Sequence, residues 1–438
     1  MSRRRDSNSR LAVYETATLP LSYPGYFVKI NRNHKNCKQI FFVLKLIEFK
    51  NVRKKIYMDY AATTPVDSRV LEAMLPYFTE KFGNSVSLHS FGQEAKNALE
   101  KTRMMMVKTL NAQNKEEIIF TSSATESNNL ALKGIAFANQ NKGKHIIISS
   151  IEHDCVLNSA CWLEKQGFKI TKIKVDKYGL IAPKEVEKAI RKDTILVSII
   201  HASNEIGTIQ PIEKIGEICQ KKGVYFHTDA AQSFGKIPID VQKMKVDLLT
   251  ASSHKIYGPK GAALLYIKKG TKIEPLLHGG GHEFGLRSST VNIPAIVGFG
   301  KAIEICQKEM KKESRRQSKL RDKLIKGILE KIPNSHLNGH PKKRLPNNAN
   351  FWFSYIEGEA IIMNLDSYGI GVSTGSACSS EKLEPSHVLL ACGLRPEQAH
   401  GSLRISLGRW TKEKDIDYVL KVLPKVVKRL REISPFKR

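Results

Sequence analysis

The chain holds 438 residues, of which 41% are hydrophobic, 8% aromatic and 26% charged, a balance that argues against a chain dominated by disorder and a length that suits two domains. The formal charge of +29, from 71 Lys and Arg against 42 Asp and Glu, raises nucleic acid as a partner. No aromatic-interleaved basic stripe, zinc-finger spacing or RNA-binding signature accompanies that charge, so solvated lysine-rich faces are the plainer reading and no direct nucleic-acid contact is expected.

Residues 1–56 differ in texture from the rest, with 13 basic and 3 acidic side chains. Arg3-Arg4-Arg5 among serines reads as a transit peptide. The preferred reading is duller: a start codon placed too early, with translation beginning near Val52. The apolar stretch 37–49 is short and interrupted by Lys38, Lys45 and Glu48, whereas a spanning helix needs ~20 apolar residues, so no membrane segment is expected. Seven cysteines, an odd number without a C-x-x-C, argue against a disulfide framework and for a reducing compartment.

From about residue 115 the pattern alternates. A strand at 118–120 precedes a helix over 126–140, and a strand at 145–149 precedes a helix over 154–167. Further strands are expected at 169–175, 194–200, 224–227 and 247–250, with helices at 184–191 and 212–222. Short Ile- and Val-rich runs separated by helices predict an α/β fold with a mainly parallel sheet covered on both faces. Sites in such sheets gather at the carboxyl ends of strands. After about residue 310 the texture changes: a charged helix over 302–331, a loop over 334–346, a strand at 349–354, and helices over 357–368 and 412–433 suggest a smaller α+β domain.

Several residues at these strand ends carry possible chemistry. In Ser252-Ser253-His254-Lys255 the lysine follows a strand, and a neighbouring cation with desolvation favours its neutral, nucleophilic amine; a surface lysine at a turn is the alternative. Asp229, after the strand 224–227, is placed to pair with a ring nitrogen, or simply caps a helix. Gln232 follows three residues later. Thr121-Ser122-Ser123-Ala124-Thr125-Glu126 joins a strand to a helix, so it offers either a phosphate site or an ordinary capping box. His153 is either a ring-facing or proton-transferring group or a structural histidine. The run His278-Gly279-Gly280-Gly281-His282 does not preorient metal ligands, and no metal site is expected. Cys378 lies in Ser373-Thr374-Gly375-Ser376-Ala377-Cys378-Ser379-Ser380, whose small polar residues predict an exposed, mobile loop, in contrast to apolar settings for Cys155, Cys161, Cys219 and Cys392. Arg404 reads equally as a carboxylate-binding guanidinium and as an edge-strand surface arginine.

Taken in order, Asp59-Tyr60-Ala61-Ala62-Thr63-Thr64-Pro65, Ala124-Thr125-Glu126-Ser127, Glu152-His153, Asn204-Glu205-Ile206-Gly207, Asp229-Ala230-Ala231-Gln232-Ser233, Ser253-His254-Lys255 and Gly375-Ser376-Ala377-Cys378 resemble the cysteine desulfurases of the NifS/IscS type. These belong to the class V aminotransferase group of fold-type I pyridoxal-phosphate enzymes. The resemblance covers about residues 56–435. It implies a large cofactor domain over 57–310 with a mainly parallel seven-stranded sheet, and a small domain over 311–438 carrying the mobile cysteine loop.

The resemblance also implies roles. Lys255 holds pyridoxal 5'-phosphate, Asp229 meets its ring nitrogen, Gln232 its ring oxygen, and His153 stacks on the ring. Thr125, Ser252 and His254 bind the phosphate, with Ala124 alongside and Thr290 reaching in from the second subunit of a homodimer. Asn204 and Arg404 hold the carboxylate of L-cysteine, and Asn204 also lines the cofactor. Cys378 takes the sulfur as a persulfide, leaving L-alanine, and is a possible transient ligand of an iron–sulfur cluster. The sulfur would pass to an iron–sulfur scaffold or a tRNA-thiolation enzyme, in the cytoplasm, or in a mitochondrion or other organelle if residues 1–56 are a transit peptide. The end at Ser434-Pro435-Phe436-Lys437-Arg438 lacks the longer tail by which IscS-type enzymes dock their scaffold, so docking in that manner is not expected. The alternatives are a selenocysteine lyase or another class V aminotransferase-like enzyme, and, outside enzymes, a basic nucleic-acid-binding or scaffold protein.

Overall fold

The computed structural model describes residues 55–375 and 384–435. The transit-peptide and early-start readings of the amino terminus therefore fall outside the described residues but for its last two positions, and Cys378 falls outside them too. Cys155, Cys161, Cys219, Cys306 and Cys392 are all free thiols.

Strands β1 (Ile56–Tyr57), β2 (Ile118–Thr121), β3 (His145–Ser149), β4 (Lys169–Ile173), β5 (Thr194–Ser198), β6 (Tyr225–Asp229), β7 (Leu248–Ser252) and β8 (Ala263–Ile267) occupy the first two thirds of the chain. All but β1 form one seven-stranded sheet in the order β2-β8-β7-β6-β5-β3-β4. Neighbours from β4 to β7 are parallel, and β8 is antiparallel to both β7 and β2. The expected mainly parallel, seven-stranded sheet is thus present. Every residue of β2, β3, β5, β7 and β8 is buried, as a sheet covered on both faces requires. The reading of alternating strands and helices passes over β8, because β7 reaches β8 without an intervening helix.

The helices α1 (Ser68–Met74) and α2 (Ser90–Leu110) precede the sheet. The helix expected over 126–140 starts two residues earlier and is broken in register: α3 (Ala124–Asn129) runs into a wide π turn at Leu130–Gly134 and then resumes at Ile135–Asn139. Ser123 sets the start by accepting the Glu126 N–H. The helices α4 (Asp154–Lys165) and α5 (Ile212–Lys222) cover the sheet further on.

The long helix α6 (Ile293–Lys331) has 39 residues and begins nine residues before its expected start. Asn292 caps it and Pro294 occupies its first turn, signals that a search for charged periodicity overlooks. Its first third, from Ile293 to Cys306, packs into the core beside the large sheet. Leu320, Leu324 and Ile328 pack into a second core.

That second core surrounds the antiparallel strands β9 (Ser335–Asn338), β10 (Asn348–Phe353) and β12 (Ser402–Ser406), with β11 (Ile370–Gly371) paired in parallel to β1. The segment expected as loop over 334–346 therefore contains β9. The helix α7 (Gly358–Ser367) and the last helix α9 (Glu413–Ile433) pack into this core, whereas the short α8 (His387–Ala391) places Val388 and Leu389 in a small cluster with Ile151, Ile200 and Ile206. Ile56 and Met58 belong to the same core, so the start of the described chain folds with its end. Among the described residues no helix is long and apolar enough to cross a membrane.

Candidate active site

The carboxyl ends of β6 and β7 are neighbours, since Asp229 pairs in register with Thr250. Asp229 is the last residue of β6 rather than a residue beyond it, and it is buried. Its Oδ2 accepts from Asn128 Nδ2 at 2.7 Å and its Oδ1 from the Ala231 N–H at 2.9 Å. The second contact closes a turn, and the helix cap expected as the alternative is absent, because turn rather than helix follows Asp229.

Asn128, on α3, also reaches Cys155 Sγ at 3.1 Å, and Cys155 Sγ lies 3.1 Å from His153 Nδ1. Nδ1 of His153 accepts the Cys155 N–H at 3.2 Å and thereby caps α4, which leaves the proton of a neutral ring on Nε2. Cys155 packs against an apolar cluster as expected, but its thiol also meets an amide and an imidazole. Burial foremost, then the Asp229 charge, pushes this thiol up to about 12, against hydrogen bonds from Asn128 and Thr125. Cys155 is therefore a neutral thiol at physiological pH.

Beyond β7, Ser252 leads into a tight turn, Ser253–Lys255. The Lys255 Nζ donates to the carbonyls of Ala61 at 2.8 Å and Ala62 at 2.6 Å. Gln232 Nε2 donates to the same Ala61 carbonyl at 2.8 Å, so lysine and glutamine converge on one peptide. His254 Nδ1 lies 3.0 Å from Thr63 Oγ1. Burial first, then the charges of Lys255, Lys260 and Lys236, lowers His254 to about 4, so its imidazole is neutral near pH 7. Lys236 donates to Gln232 Oε1 at 3.1 Å and is pushed down to about 7 by burial and the Lys255 charge.

Arg404 lies on β12, an outer strand of the three-stranded sheet, yet it is 1% exposed. The surface-arginine reading is wrong, because Ser373 covers that edge: the two residues exchange backbone bonds of 3.2 and 2.6 Å. The guanidinium donates to the Asn204 carbonyl at 3.1 Å and to Asp59 Oδ1 at 2.8 Å, while its Nε is buried without a bonded partner among the described residues.

The segment carrying Cys378 is anchored on both sides to residues adjoining these groups. Upstream, Ser373 holds Arg404, and a side chain at Gly375 would meet Glu205 Oε2 at 2.9 Å. Downstream, Ser386 Oγ donates to Glu205 Oε2 at 2.5 Å and His387 Nε2 to the Glu152 carbonyl at 2.9 Å. Thr290 is exposed in the loop before α6, outside the networks above. The described residues contain no group of three or more His, Cys, Asp or Glu that could hold a metal ion.

Three residues had no role assigned from sequence: Asn128, Asp59 and Glu205. Asp59 and Glu205 lie inside quoted motifs. Asn128 carried one overlooked signal, a polar side chain just ahead of Leu130-Ala131-Leu132.

Glu152, next to His153, supplies a pH test. It is fully buried; Oε1 accepts from Ser149 Oγ at 2.5 Å and from the Ile200 N–H at 2.7 Å, and Oε2 has no bonded partner among the described residues. Burial, the largest cause, raises its carboxyl from 4.5 to about 8. A folded value above the unfolded one gives stability that is complete below the unfolded value and is lost as pH rises through the folded value. Glu152→Gln makes the group permanently neutral, so the variant should gain on the wild type in melting temperature between about pH 5 and pH 9. Parallel melting profiles across that range would show that Glu152 is already ionised in the fold.

The Aminotransferase class-V family matches residues 56–419. The cysteine desulfurase IscS of Methanosarcina thermophila is 56% identical over 382 residues, covering 87% of this chain and 94% of that protein. A solved NifS-like protein superposes with a TM-score of 0.81 at 41% identity, over 86% of this chain and all of the other. A structure of SspA in complex with cysteine gives a TM-score of 0.73 at 39% identity, over 82% of this chain and all of that one.

Proposed function

Because the chain belongs to the class V aminotransferase family, as one of its pyridoxal-phosphate-dependent cysteine desulfurases, we propose a division of labour among its own residues. The observation that carries it is the convergence of the Lys255 amine, the Gln232 amide and the buried Arg404 guanidinium on the segment 59–62, with the buried Asp229 carboxylate at the end of the strand next to the one that leads into Lys255. Pyridoxal phosphate, when bound, supplies an aldehyde that bonds a primary amine and a ring that draws electrons from the amine's α-carbon.

The residues fit that group. Lys255 is the amine that holds it, and the Ala61 and Ala62 carbonyls aim its Nζ. Asp229, steadied by Asn128, meets the ring nitrogen, and the orphaned Asn128 Oδ1 marks a buried acceptor beside that carboxylate. Gln232 serves the ring oxygen, and His153, fixed by its cap on α4, faces the ring. Ala124 and Thr125 at the start of α3, together with Ser252 and His254, hold the phosphate. Asn204 and Arg404 orient the substrate carboxylate, for which the Arg404 Nε is the spare donor.

Cys378 then does the sulfur chemistry. Its thiolate attacks the sulfur of the bound cysteine; an S–S bond forms, the C–S bond breaks, and the electron pair stays on carbon, which takes a proton on the way to alanine. Purified enzyme supplied with cysteine and a thiol reductant should yield alanine and sulfide in equal amounts. Faster turnover of selenocysteine, or transamination of an amino-acid and keto-acid pair, would instead favour the alternative enzymes.

The working enzyme is a homodimer in this reading, with Thr290 serving the partner's site. An apolar surface supports it: Leu75, Phe78, Phe82, Val86, Leu88 and Phe91 are all more than half exposed, and Leu88 is 92% exposed, around the stretch that leads into α2. Leu88→Glu should drive the mass measured by light scattering from two chains towards one, and an unchanged mass would place the contact elsewhere. The sulfur acceptor is a protein of iron–sulfur assembly or tRNA thiolation in the cytoplasm. Radiolabelled cysteine should transfer label to such proteins in a cytosolic extract, and label confined to organelles would overturn the compartment.

A further inference from the structure

Two residues beyond Lys255, Tyr257 adopts a left-handed backbone with φ 68°, a conformation that L side chains rarely occupy. The surroundings hold it at three points. Its N–H donates to Thr64 Oγ1 at 2.8 Å, its carbonyl accepts the Asp67 N–H at 3.0 Å, and its phenol oxygen accepts the Arg409 backbone N–H at 2.7 Å. The ring is clamped as well. The Arg409 guanidinium lies 4.3 Å from its centroid, and Trp410 meets it edge-on at 5.2 Å. Arg409 is fixed in turn by ion pairs to Asp67 and, at 3.3 Å, to Glu309.

Two of these anchors, Thr64 and Asp67, lie on the segment that receives the lysine. Ala61 and Ala62 accept from Lys255 Nζ, and Thr64 donates to the His254 carbonyl through both its N–H, at 3.0 Å, and its hydroxyl, at 2.9 Å. One short stretch, 61–67, therefore grips the turn on both sides of the amine. The neighbour of Tyr257, Gly258, has no room for a side chain, since a Cβ would come within 2.1 Å of Ser253 Oγ.

We propose that Tyr257 is a positioning residue of the cofactor lysine: its clamped left-handed backbone sets the Ser253–Lys255 turn so that Nζ meets the Ala61 and Ala62 carbonyls, and Arg409 is the partner that maintains it. This rests on the assignment of Lys255 as the cofactor lysine. It makes the segment 408–411, remote in sequence, a determinant of how that amine is held. Once bonded to the cofactor, that nitrogen would keep a single N–H when protonated, and a carbonyl of this pair that accepts it favours the charged form, so displacing the turn should lower the pH at which it loses its proton.

The test uses the holoenzyme and the variants Tyr257→Ala, Tyr257→Phe and Arg409→Met. Tyr257→Ala and Arg409→Met should each bind pyridoxal phosphate about tenfold more weakly. The pH midpoint of the bound cofactor's visible band should fall by about half a unit. Tyr257→Phe keeps the ring under Arg409 and loses only the phenol acceptor, so it should show a smaller fall of the same sign, and it serves if the alanine variant does not fold. A purely structural role would lower the melting temperature and leave the midpoint of the folded fraction unchanged; that result in all three variants overturns the proposal. Borohydride reduction of the wild type separates the two levels: modification of a lysine other than Lys255 defeats the underlying assignment, whatever the variants do.

Discussion

Cys378→Ser should lower alanine and sulfide release from cysteine by at least about 10³-fold while leaving the bound cofactor's colour intact. A serine hydroxyl does not ionise near neutral pH and attacks sulfur poorly, whereas a thiolate is both available and strongly nucleophilic there. No substitute stands ready among four of the other cysteines. Burial pushes the thiols of Cys155, Cys219 and Cys392 up to about 12 and that of Cys306 up to about 11. Cys155 is the instructive one, because it lies beside Asp229 and His153 and yet stays protonated. Cofactor retention checks that the variant is folded, since every group proposed to hold the cofactor lies away from position 378 in sequence. Full activity in Cys378→Ser would remove the persulfide step altogether.

Lys255→Ala should abolish borohydride-stable attachment of the cofactor and reduce turnover by about 10³-fold or more. The structure adds an independent readout. The Lys255 charge is one of the causes that depress both His254 and Lys236. Removing it should raise both pKa values while burial, the larger cause, keeps them below their ordinary levels. Proton resonances of the His254 ring followed through a pH titration would register this even in inactive protein. Retained covalent trapping in the alanine variant would transfer the role to another lysine.

Much of this site was legible because its chemistry is written in short motifs at strand ends, where local sequence and local structure coincide. Lys255, Gln232 and His254 fall close to the segment 59–64 that those motifs also contain. The failures have one physical source, which is that burial and pairing are set by residues distant in sequence. Arg404 reads equally as a surface residue and as a carboxylate binder, because its alternating strand pattern does not reveal that Ser373 closes the edge. The polar partner of Cys155 goes unread because Asn128 arrives from another element. The strand β8 goes unread because it pairs antiparallel in a sheet recognised by its helical crossovers. The π turn within the helix over 124–139 changes no residue type and leaves no periodic trace.

The helix α6 has a mechanical consequence. At 1.5 Å per residue its 39 residues span about 58 Å, and its two ends are embedded in different hydrophobic interiors. Its polar middle is stitched too: Ser314 Oγ bonds the Lys236 carbonyl, and Arg316 bonds the carbonyls of Gly408, Arg409 and Thr411. The helix thus acts as a splint fastened at both ends and at its centre. A torque applied to the carboxyl-terminal part is carried along this rod towards the sheet.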